Sequence, residues 1–472
     1  MMLLAIPVIA PLGNAHWANA GIAGNLLLLL AGCLLAWLLV ARACAPVSAA
    51  LSRLAKRPDL MPVLIAGAAM EMLAASITAP VPVSDFFHYL YLAGRIAAGL
   101  SYVDDLGWRA EFPPGWPYML APFVAIFGPT LVAATAANVA LYLVGAIGIA
   151  SIARQRFGPS ETFIAVVLFT IWPARLLMAG LAAKENLLIA AVIAAIALSY
   201  KAVDAKTRSP IVIAGAAGAV FGLAALTQPG LLVLTLAAPV MFRSAITDIG
   251  ARRFTSIVAA MLAGALLALA PWMVRNCVVF EGEFCGIAAN GGSVFYRANN
   301  ANATGLFMYG RGGPLRGLPE VERNRRGYEL GRQWIVTHPL DAVQLSARKV
   351  FAYLKGDDHG AYWSVLRQPG GDEENALRNA SESRMALYRI ASGVSLAYWV
   401  LLAALSVQAL RNGRLADERD RYDFRPLVYP LLCGAAVFGL FESGDRQHMF
   451  AVGPLFVLAA AGIVRRGNRV TP

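Results

Sequence analysis

Charged residues are scarce in this chain of 472 residues: Asp, Glu, Lys and Arg make up 14% of it, against 58% for hydrophobic residues. Soluble proteins carry about 25% charged and about 45–50% apolar residues. The excess of apolar side chains excludes an ordinary soluble enzyme, and it excludes a disordered chain because burial of so much apolar surface offsets the ordering entropy. The 43 glycines follow no repeating period, which excludes a collagen-like structure. The composition therefore indicates a protein that lies in a lipid bilayer.

Several catalytic and metal-binding motifs are also absent. The sequence contains no CxxC pair, no HExxH motif, no P-loop and no GxSxG elbow, so zinc, nucleotide and serine-nucleophile chemistry have no support. Only five cysteines occur. Cys277 and Cys285 flank a turn, and on an oxidising face of the membrane they form either a short-loop disulfide or two unlinked thiols. The other three are expected to be free thiols: Cys33, Cys44 and Cys433.

Runs of about 20 apolar residues closed by Lys or Arg predict transmembrane helices, because a helix of that length crosses the hydrocarbon core. About eleven such runs are present. They cover 20–42, 61–80, 128–153, 161–179, 181–202, 209–226, 229–243, 254–274, 388–410, 426–442 and 446–464. The predicted fold is an all-α polytopic membrane protein, with outer-face loops that carry interfacial helices and a small mixed segment.

Basic residues orient these helices, since short loops rich in Lys and Arg stay on the cytoplasmic side. One set of loops carries twenty such residues and the opposite short loops carry five, which predicts a cytoplasmic C-terminus and an outer N-terminus. The first twenty residues hold no Lys or Arg, so they lack the charged n-region of a signal peptide and are interpreted as an uncleaved lead-in. The net charge of +12 is then mostly topological, and nucleic-acid binding explains it less well.

This orientation divides the chain into three regions. Residues 1–274 form an N-terminal transmembrane module, whose first outer loop, 81–127, is the candidate catalytic loop. Residues 275–387 form a second region on the outer face, and residues 388–472 form the C-terminal transmembrane helices. Each region is thus predicted to contribute to the outer face of the membrane.

An amphipathic stretch begins at Pro339 in the second outer region. Apolar residues recur there at helical spacing, opposite the charged residues Asp341, Arg348 and Lys349. A helix with one apolar and one charged face is typical of the membrane–water interface, so we expect this stretch to lie on the membrane surface.

The first outer loop carries the first candidate site. Ser84 follows Pro82 and is a credible helix N-cap, which puts Asp85 in the first turn, where the helix dipole favours an ionised carboxylate. Asp85, His88 and Arg95 fall on one polar stripe of an otherwise apolar, aromatic-rich helix. A stripe of this kind faces a cavity or water, and a capping carboxylate on a solvated loop is the alternative interpretation.

Further candidates lie at the outer ends of the predicted helices. Glu111 precedes a stiff Pro-Pro-Gly-Trp-Pro segment and is either a second acid over the same site or a surface carboxylate. Lys184 and Glu185 lie where unpaired charge is costly and usually functional, with a structural pair as the alternative. Arg275 and Arg446 lie at the level of an outer-leaflet phosphate, which guanidinium groups bind well, although headgroup anchoring explains either one alone.

In this order along the chain, these patches resemble the GT-C superfamily of membrane glycosyltransferases. The likeness is to bacterial members related to protein O-mannosyltransferases, to the lipid A aminoarabinose transferase and to lipopolysaccharide-core transferases. The motifs that carry it are Ser84-Asp85 with Tyr89, the Pro-Pro-Gly-Trp-Pro segment, Lys184-Glu185, Pro271-Trp272 with Arg275-Asn276, Asn290-Gly291-Gly292 with Tyr296, and the patch around Arg446.

The resemblance implies an inverting transferase that moves a sugar from a polyprenyl-monophosphate donor to an acceptor on the outer face. Asp85 is then the expected catalytic base, and Glu111 takes the place of a second acid of the first loop. The expected substrate-binding residues are His88, Tyr89, Lys184, Glu185, Arg275, Asn290, Tyr296, Arg446 and His448. No obligatory metal is expected, and a divalent Mg or Mn ion, which some superfamily members use, is the alternative.

The implied partners are the donor lipid, the surrounding membrane lipids and an envelope glycolipid, polysaccharide or protein acceptor, and the implied location is a bacterial cytoplasmic membrane with the site facing the periplasm. A transporter or lipid-linked-sugar flippase is the competing class. It predicts ionisable or broken helices near mid-membrane, often in paired repeats, whereas the charges here cluster at the outer ends of helices. A scaffold subunit without activity is disfavoured by the large outer region.

Overall fold

The computed structural model describes residues 59–306, 313–367, 380–414 and 423–470. Within these ranges the chain forms helices and turns and no β-strand. Its helices of eight or more residues are α1 (Met61–Thr78), α2 (Asp85–Ala97), α3 (Gly115–Phe127), α4 (Leu131–Arg156), α5 (Pro159–Thr170), α6 (Lys184–Val203), α7 (Pro210–Thr227), α8 (Leu232–Met241), α9 (Ala251–Val279), α10 (Gly291–Ala298), α11 (Glu320–Thr337), α12 (Pro339–Leu354), α13 (Glu382–Arg414), α14 (Arg425–Phe438) and α15 (Met449–Val470).

Eight helical segments of this part of the chain are long and apolar enough to cross a membrane. They are Met61–Thr78, Leu131–Arg156, Lys184–Val203, Pro210–Thr227, Pro229–Ile249, Ala251–Val279, Glu382–Arg411 and Asp445–Val464. The predicted all-α, multi-pass membrane fold is confirmed. The number of eleven spans is not.

Two of the predicted spans form shorter apolar helices. The expected span 161–179 overlaps α5, which ends at Thr170 because Pro173 restricts the backbone of the residue before it. The expected span 426–442 overlaps α14, which ends at Phe438 before a glycine. The predicted span 20–42, the lead-in at 1–20, Cys33 and Cys44 lie outside the described residues.

Helices α6 and α15 form the centre of the bundle. Almost every side chain of α6 is buried, and α15 packs against it, against α5 and against α13. Glycines let the central helices approach closely: a Cβ at Gly148 or Gly453 would lie within 2.7 Å of the side chain of Ile193 in α6. Small residues at such crossings allow van der Waals packing between apolar helices in a bilayer.

Several segments that are distant in the sequence lie near the start of α2. Helix α2 packs on α3, and α10 packs on α11. Two short helical turns, His359–Ala361 and Tyr362–Leu366, follow α12, and the turn Asp445–His448 comes just before α15. These segments bring residues from widely separated parts of the sequence to one end of the transmembrane helices.

Helix α12 forms where the amphipathic pattern predicts it, but its charged face is not uniformly exposed. Leu340 and Val343 are exposed, whereas Lys349 is buried and donates to Asn299 Oδ1 at 2.9 Å and to the carbonyl of Leu440 at 3.2 Å. Burial lowers the pKa of the Lys349 ammonium to about 8. The expectation that Lys349 belongs to the outward polar face was wrong, because these oxygen atoms supply the hydrogen bonds that a buried cation needs.

The two outer cysteines are joined. Cys277, near the end of α9, and Cys285 form a disulfide across a tight turn, with their Cα atoms 4.4 Å apart. Glu281 and Gly282 reverse the chain inside this loop with φ of +53° and +87°. Of the two alternatives that the sequence left open, the structure has the disulfide, and Cys433 is a free thiol.

Candidate functional site

An arginine shared by two carboxylates forms the centre of the site. Arg446, in the turn before α15, lies with Nη1 3.5 Å from Asp85 Oδ2 and with Nε 3.9 Å from Glu185 Oε1. The Glu185 side chain, at the start of α6, is 6% exposed, whereas that of Asp85 is 35% exposed and that of Arg446 is 24% exposed. One guanidinium therefore bridges a buried carboxylate and an accessible one.

The backbone before α2 aims Asp85 at this guanidinium. Ser84 occupies the N-cap position, but its hydroxyl accepts no capping hydrogen bond, so the predicted side-chain cap is wrong. Instead Ser84 has a φ of +53°, a region that residues other than glycine seldom adopt. Strained backbone of this kind is typical of functional sites. The buried side chains Phe86, Tyr89 and Leu90 hold the helix that follows.

The polar stripe predicted on α2 divides between two environments. Asp85 faces the shared guanidinium, whereas His88 Nδ1 lies 2.9 Å from Asp105 Oδ1 in the loop after α2. Arg95 donates from Nε to the carbonyl of Ser101 at 2.8 Å, which closes the end of the helix. The spacing thus places these residues on one helix face, but their side chains do not meet.

Two further predicted residues lie beside the shared arginine. Tyr89 is buried one turn after Asp85, and the pKa of its hydroxyl is raised well above the ordinary value, first by burial and then by the negative charges of Asp85 and Glu185. Lys184, the first residue of α6, lies within electrostatic range of Asp85 and Arg446. The structure therefore brings together five of the residues selected from the sequence.

Glu111 lies in a separate ion pair. Its carboxylate binds Arg323 of α11, and burial raises the pKa of Glu111 although the positive charge of Arg323 opposes that shift. The neighbouring Glu320 accepts hydrogen bonds from the backbone N–H groups of Arg109 and Ala110, at 2.9 and 2.7 Å. The segment before α3 is thereby fastened to α11.

Arg275 directs its donors to the protein backbone. Nη1 donates to the carbonyl of Arg109 at 2.8 Å and Nη2 to the carbonyl of Tyr102 at 3.0 Å, while the guanidinium lies over the ring of Trp272. These contacts connect the first outer loop with the end of α9. In this structure Arg275 fixes the loop that carries the candidate acids.

Helix α10 carries a cation that the sequence did not single out. Asn290 directly precedes the helix and Tyr296 lies within it, next to Arg297. Arg297 donates to both oxygens of Glu442, at 2.6 and 3.0 Å. Burial lowers the pKa of Arg297, but the bond and charge of Glu442 raise it more, and the charges of Glu111 and Asp85 add to that rise. Arg297 thus lies in the electric field of both candidate acids.

His448 is completely buried beneath the turn of Arg446. Its Nδ1 lies 2.6 Å from the carbonyl oxygen of Tyr353, and its ring stacks on Trp399 with centroids 4.7 Å apart. Its Nε2 lies 3.6 Å from Asp357 Oδ1. These contacts hold the turn against α12 and α13.

The described residues contain no cluster of three or more His, Cys, Asp or Glu side chains that could hold a metal ion. The two carboxylates at the centre, Asp85 and Glu185, both lie beside the positive charge of Arg446. Mg²⁺ and Ca²⁺ require several oxygen ligands around one point. The expectation that no metal is obligatory stays a prediction.

Residues 111–275 match the family model of the dolichyl-phosphate-mannose-protein mannosyltransferases. The match confirms the resemblance to membrane glycosyltransferases of the GT-C superfamily. The matched segment includes Glu111, Lys184, Glu185 and Arg275, and it begins after Asp85. A search of curated proteins finds no match.

Solved structures of the oligosaccharyltransferase of Archaeoglobus fulgidus are similar to the chain. The AglB complex with an inhibitory peptide and a dolichol-phosphate has 12% identity and a TM-score of 0.49, over 85% of this chain and 50% of that one. The apo form has 12% identity and a TM-score of 0.41, over 87% and 56%. The complex with Zn and sulfate has 15% identity and a TM-score of 0.40, over 85% and 53%. The chain thus spans about half the length of these structures.

Proposed function

We propose that the chain is an inverting glycosyltransferase that moves a sugar from a polyprenyl-monophosphate donor to an acceptor at the outer face of a bacterial cytoplasmic membrane. The observation that carries the proposal is the accessible carboxylate of Asp85 beside a fixed guanidinium, at the ends of apolar helices. The matched family, whose description names a mannose on dolichyl phosphate, supports the same class of donor.

In this proposal Asp85 is the general base. A hydroxyl of the acceptor attacks the anomeric carbon, the bond between that carbon and the phosphate oxygen breaks, and the configuration inverts. The hydroxyl proton passes to the Asp85 carboxylate, which is the role that a carboxylate within hydrogen-bond reach fulfils. The 35% exposure of the Asp85 side chain supports this role, since an acceptor can reach it.

Arg446 and Lys184 stabilise the departing lipid phosphate. Negative charge grows on that phosphate in the transition state, so fixed cations aimed at it lower the barrier. The distance of 3.5 Å between Arg446 and Asp85 is long for a charge-assisted hydrogen bond, which leaves the guanidinium free to bind phosphate oxygens. Glu185, buried at the start of α6, holds the guanidinium from the other side.

The remaining predicted residues position the substrates and the loops. We propose that Glu111 acts as a second acid held by Arg323, and that Arg275 and His448 fix the loop and the turn that carry Asp85 and Arg446. Four residues are proposed to contact the sugar or acceptor: His88, Tyr89, Asn290 and Tyr296. The acceptor is an envelope glycolipid, polysaccharide or protein, and the donor tail stays among the membrane lipids.

The decisive experiment measures released polyprenyl phosphate. Wild type, Asp85→Asn and the control Asp341→Asn, which changes an exposed carboxylate of α12, are reconstituted in liposomes with bacterial polyprenyl-phosphate sugars and envelope acceptors. We expect release by wild type and by the control, and none by Asp85→Asn. Chelation by EDTA and readdition of Mg²⁺ or Mn²⁺ test for metal use, and we expect activity to survive chelation.

Two outcomes contradict this proposal in different ways. Equal release by wild type and Asp85→Asn would retain the transferase and remove Asp85 as its base. No release by any variant, with the sugar-lipid moving between leaflets instead, would show a flippase. That competing class is supported by the apolar helices alone, since they suit a transporter as well as a lipid-dependent enzyme.

A further inference from the structure

The segment after α12 carries His359, a residue without a role in the mechanism above. His359 begins the short helical turn His359–Ala361. Its Nε2 is buried and has no hydrogen-bond partner in the part of the chain that the structure describes. Because buried polar atoms in folded proteins nearly always have a partner, an orphaned one needs an explanation.

An aromatic contact connects His359 with the first turn of α2. The ring of Trp363 lies edge-on to that of His359, with centroids 6.1 Å apart, and edge-on to that of Phe86, with centroids 5.2 Å apart. Phe86 follows Asp85 directly in the chain. The indole of Trp363 and the ring of Phe86 therefore connect the imidazole with the residue that follows the proposed base.

The charges that act on His359 are those of the candidate site. Burial, and then the positive charge of Arg446, lower the pKa of His359 to about 4, although the charges of Glu185, Asp358 and Asp85 act in the opposite direction. The imidazole is consequently neutral at physiological pH. A neutral imidazole nitrogen either accepts or donates a hydrogen bond, according to the tautomer.

The residues on both sides of His359 fix its position, and one of them contacts the turn that carries Arg446. The backbone N–H of Asp358 donates to Asp445 Oδ2 at 2.9 Å, and Asp445 directly precedes Arg446. On the other side Gly360 packs so closely on the turn before α6 that a Cβ there would lie 2.7 Å from the carbonyl oxygen of Ala174. A residue fixed on both sides is preorganised for a contact with a ligand.

We propose that His359 is a further substrate-contacting residue of this site, and that its Nε2 hydrogen-bonds a hydroxyl group of the bound sugar or of the acceptor. The inference rests on the proposed function. Hydroxyl groups donate and accept, so either tautomer of the imidazole satisfies the contact. A neutral partner also suits this position, because it binds a hydroxyl without disturbing the balance between Arg446 and its two carboxylates.

Two substitutions separate the hydrogen bond from the packing of the ring. His359→Phe removes Nε2 and keeps an aromatic ring against Trp363, whereas His359→Gln keeps a polar group that reaches the same place. The matched control is His338→Phe, at an exposed histidine between α11 and α12. Release of polyprenyl phosphate is measured with the donor varied at saturating acceptor, and then with the acceptor varied at saturating donor.

We expect His359→Phe to raise the KM of one substrate by roughly 10- to 100-fold, because a polar site loses its partner for a hydroxyl. His359→Gln is expected to recover part of this loss, and His338→Phe to behave as wild type. A higher donor KM assigns the hydroxyl to the sugar, and a higher acceptor KM assigns it to the acceptor. A deoxy analogue of the affected substrate lacks the bound hydroxyl. With that analogue, the KM values of wild type and of the Phe variant should differ less.

Unchanged KM values for both substrates in His359→Phe would overturn the inference, as would an equal loss of kcat alone in both variants, which indicates a purely structural role. Thermal unfolding midpoints in detergent show whether the variants fold. If the Phe variant does not fold, the KM of His359→Leu, which also lacks a hydrogen-bonding group, decides, and a KM equal to that of wild type refutes the contact. An inactive wild type refutes the proposed function and this inference together, whereas an active wild type with unaffected variants refutes the inference alone.

Discussion

Two arginine–carboxylate pairs in this molecule have opposite properties. Arg175 and Glu71 meet inside the bundle, with side chains 4% and 1% exposed. Arg446 and Asp85, called the outer pair here because their side chains are more exposed, meet at the ends of the helices at 3.5 Å, with side chains 24% and 35% exposed. The inner pair, Arg175 and Glu71, is in direct contact and closed to solvent. The outer pair is separated by 3.5 Å and is accessible to solvent.

The surroundings explain this difference. Arg175 lies over the rings of Tyr142 and Phe169, at 4.6 and 4.8 Å from their centroids, and donates to the carbonyl of Thr170. Glu71 comes from α1, an outlying helix that buries only two other residues, Gly67 and Ala75. A charge buried among apolar helices is costly without its partner, so this pair fastens α1 to the bundle. The comparison teaches that an ion pair indicates a site only where one partner is open to a ligand.

The largest effect on activity is expected at the outer pair. Arg446→Gln removes the guanidinium that faces Asp85 and Glu185, and we expect kcat for polyprenyl phosphate release to fall about 100- to 1,000-fold, as for other groups that stabilise transition-state charge. Arg446→Lys keeps the charge without the forked geometry and should lie between that variant and wild type. Arg348→Gln, at an exposed arginine of α12, is the control. Similar kcat values for all three variants would show that Arg446 only anchors the turn.

Substitution in the inner pair should lower the stability of the fold and leave activity unchanged. Glu71→Gln leaves the Arg175 charge buried without its partner, and we expect the free energy of unfolding to fall by about 3–5 kcal/mol. Activity per folded molecule should not change. The double variant Glu71→Gln with Arg175→Met should recover much of the loss, because it buries no charge. Thermal unfolding midpoints in detergent and normalised release rates test both statements, and a drop in kcat without a drop in midpoint would contradict them.

The sequence predicts the helices well because their signal is local. Length and hydropathy are properties of a short window, and eight long apolar segments coincide with predicted spans. The hydropathy signal overestimates helix length where a proline or glycine follows the helix, as at α5 and α14. It also predicts a set of polar residues at helix ends, and from that set Asp85, Glu185 and Arg446 meet although Asp85 and Arg446 are 361 residues apart.

Contacts between distant segments are the part that the sequence leaves undetermined. Periodicity predicts that Lys349 lies on a polar helix face. It does not show that Asn299 and Leu440 supply oxygen atoms to the ammonium group. In the same way Arg297 and His359 carry no local signal. Their positions depend on which helices and turns are neighbours, and a single sequence does not specify that neighbourhood.

Substitution of Glu111 is expected to lower activity less than substitution of the outer pair. The carboxylate of Glu111 lies near the site but is already paired with Arg323. Glu111→Gln keeps a hydrogen bond to Arg323, and we expect kcat to fall roughly tenfold, less than for a freely available base. Glu320→Gln, on the same side of α11, controls for the fastening of the loop. A loss as large as that of Asp85→Asn would make Glu111 an equal partner in proton transfer.

The smallest expected effect is a pH dependence next to the outer pair. Burial, and then the carboxylate of Asp445, raises the pKa of Asp358 to about 7, and the hydroxyl of Tyr388 donates to Asp358 Oδ2 at 3.0 Å. The folded state thus holds a proton that the unfolded chain, with an ordinary carboxyl pKa of 3.8, releases. Its stabilising contribution is complete below that value and is lost as the pH rises through about 7.

Asp358→Asn tests this contribution, because the amide resembles the protonated acid and does not titrate. We expect the unfolding midpoint of wild type to fall relative to that of Asp358→Asn as the pH rises between the two pKa values. Asp341→Asn, at an exposed carboxylate, should follow wild type. Parallel curves for wild type and Asp358→Asn would show that Asp358 is ionised in the folded state. A divergence would instead place a proton on Asp358, whose backbone N–H donates to the carboxylate of Asp445, the residue directly before Arg446.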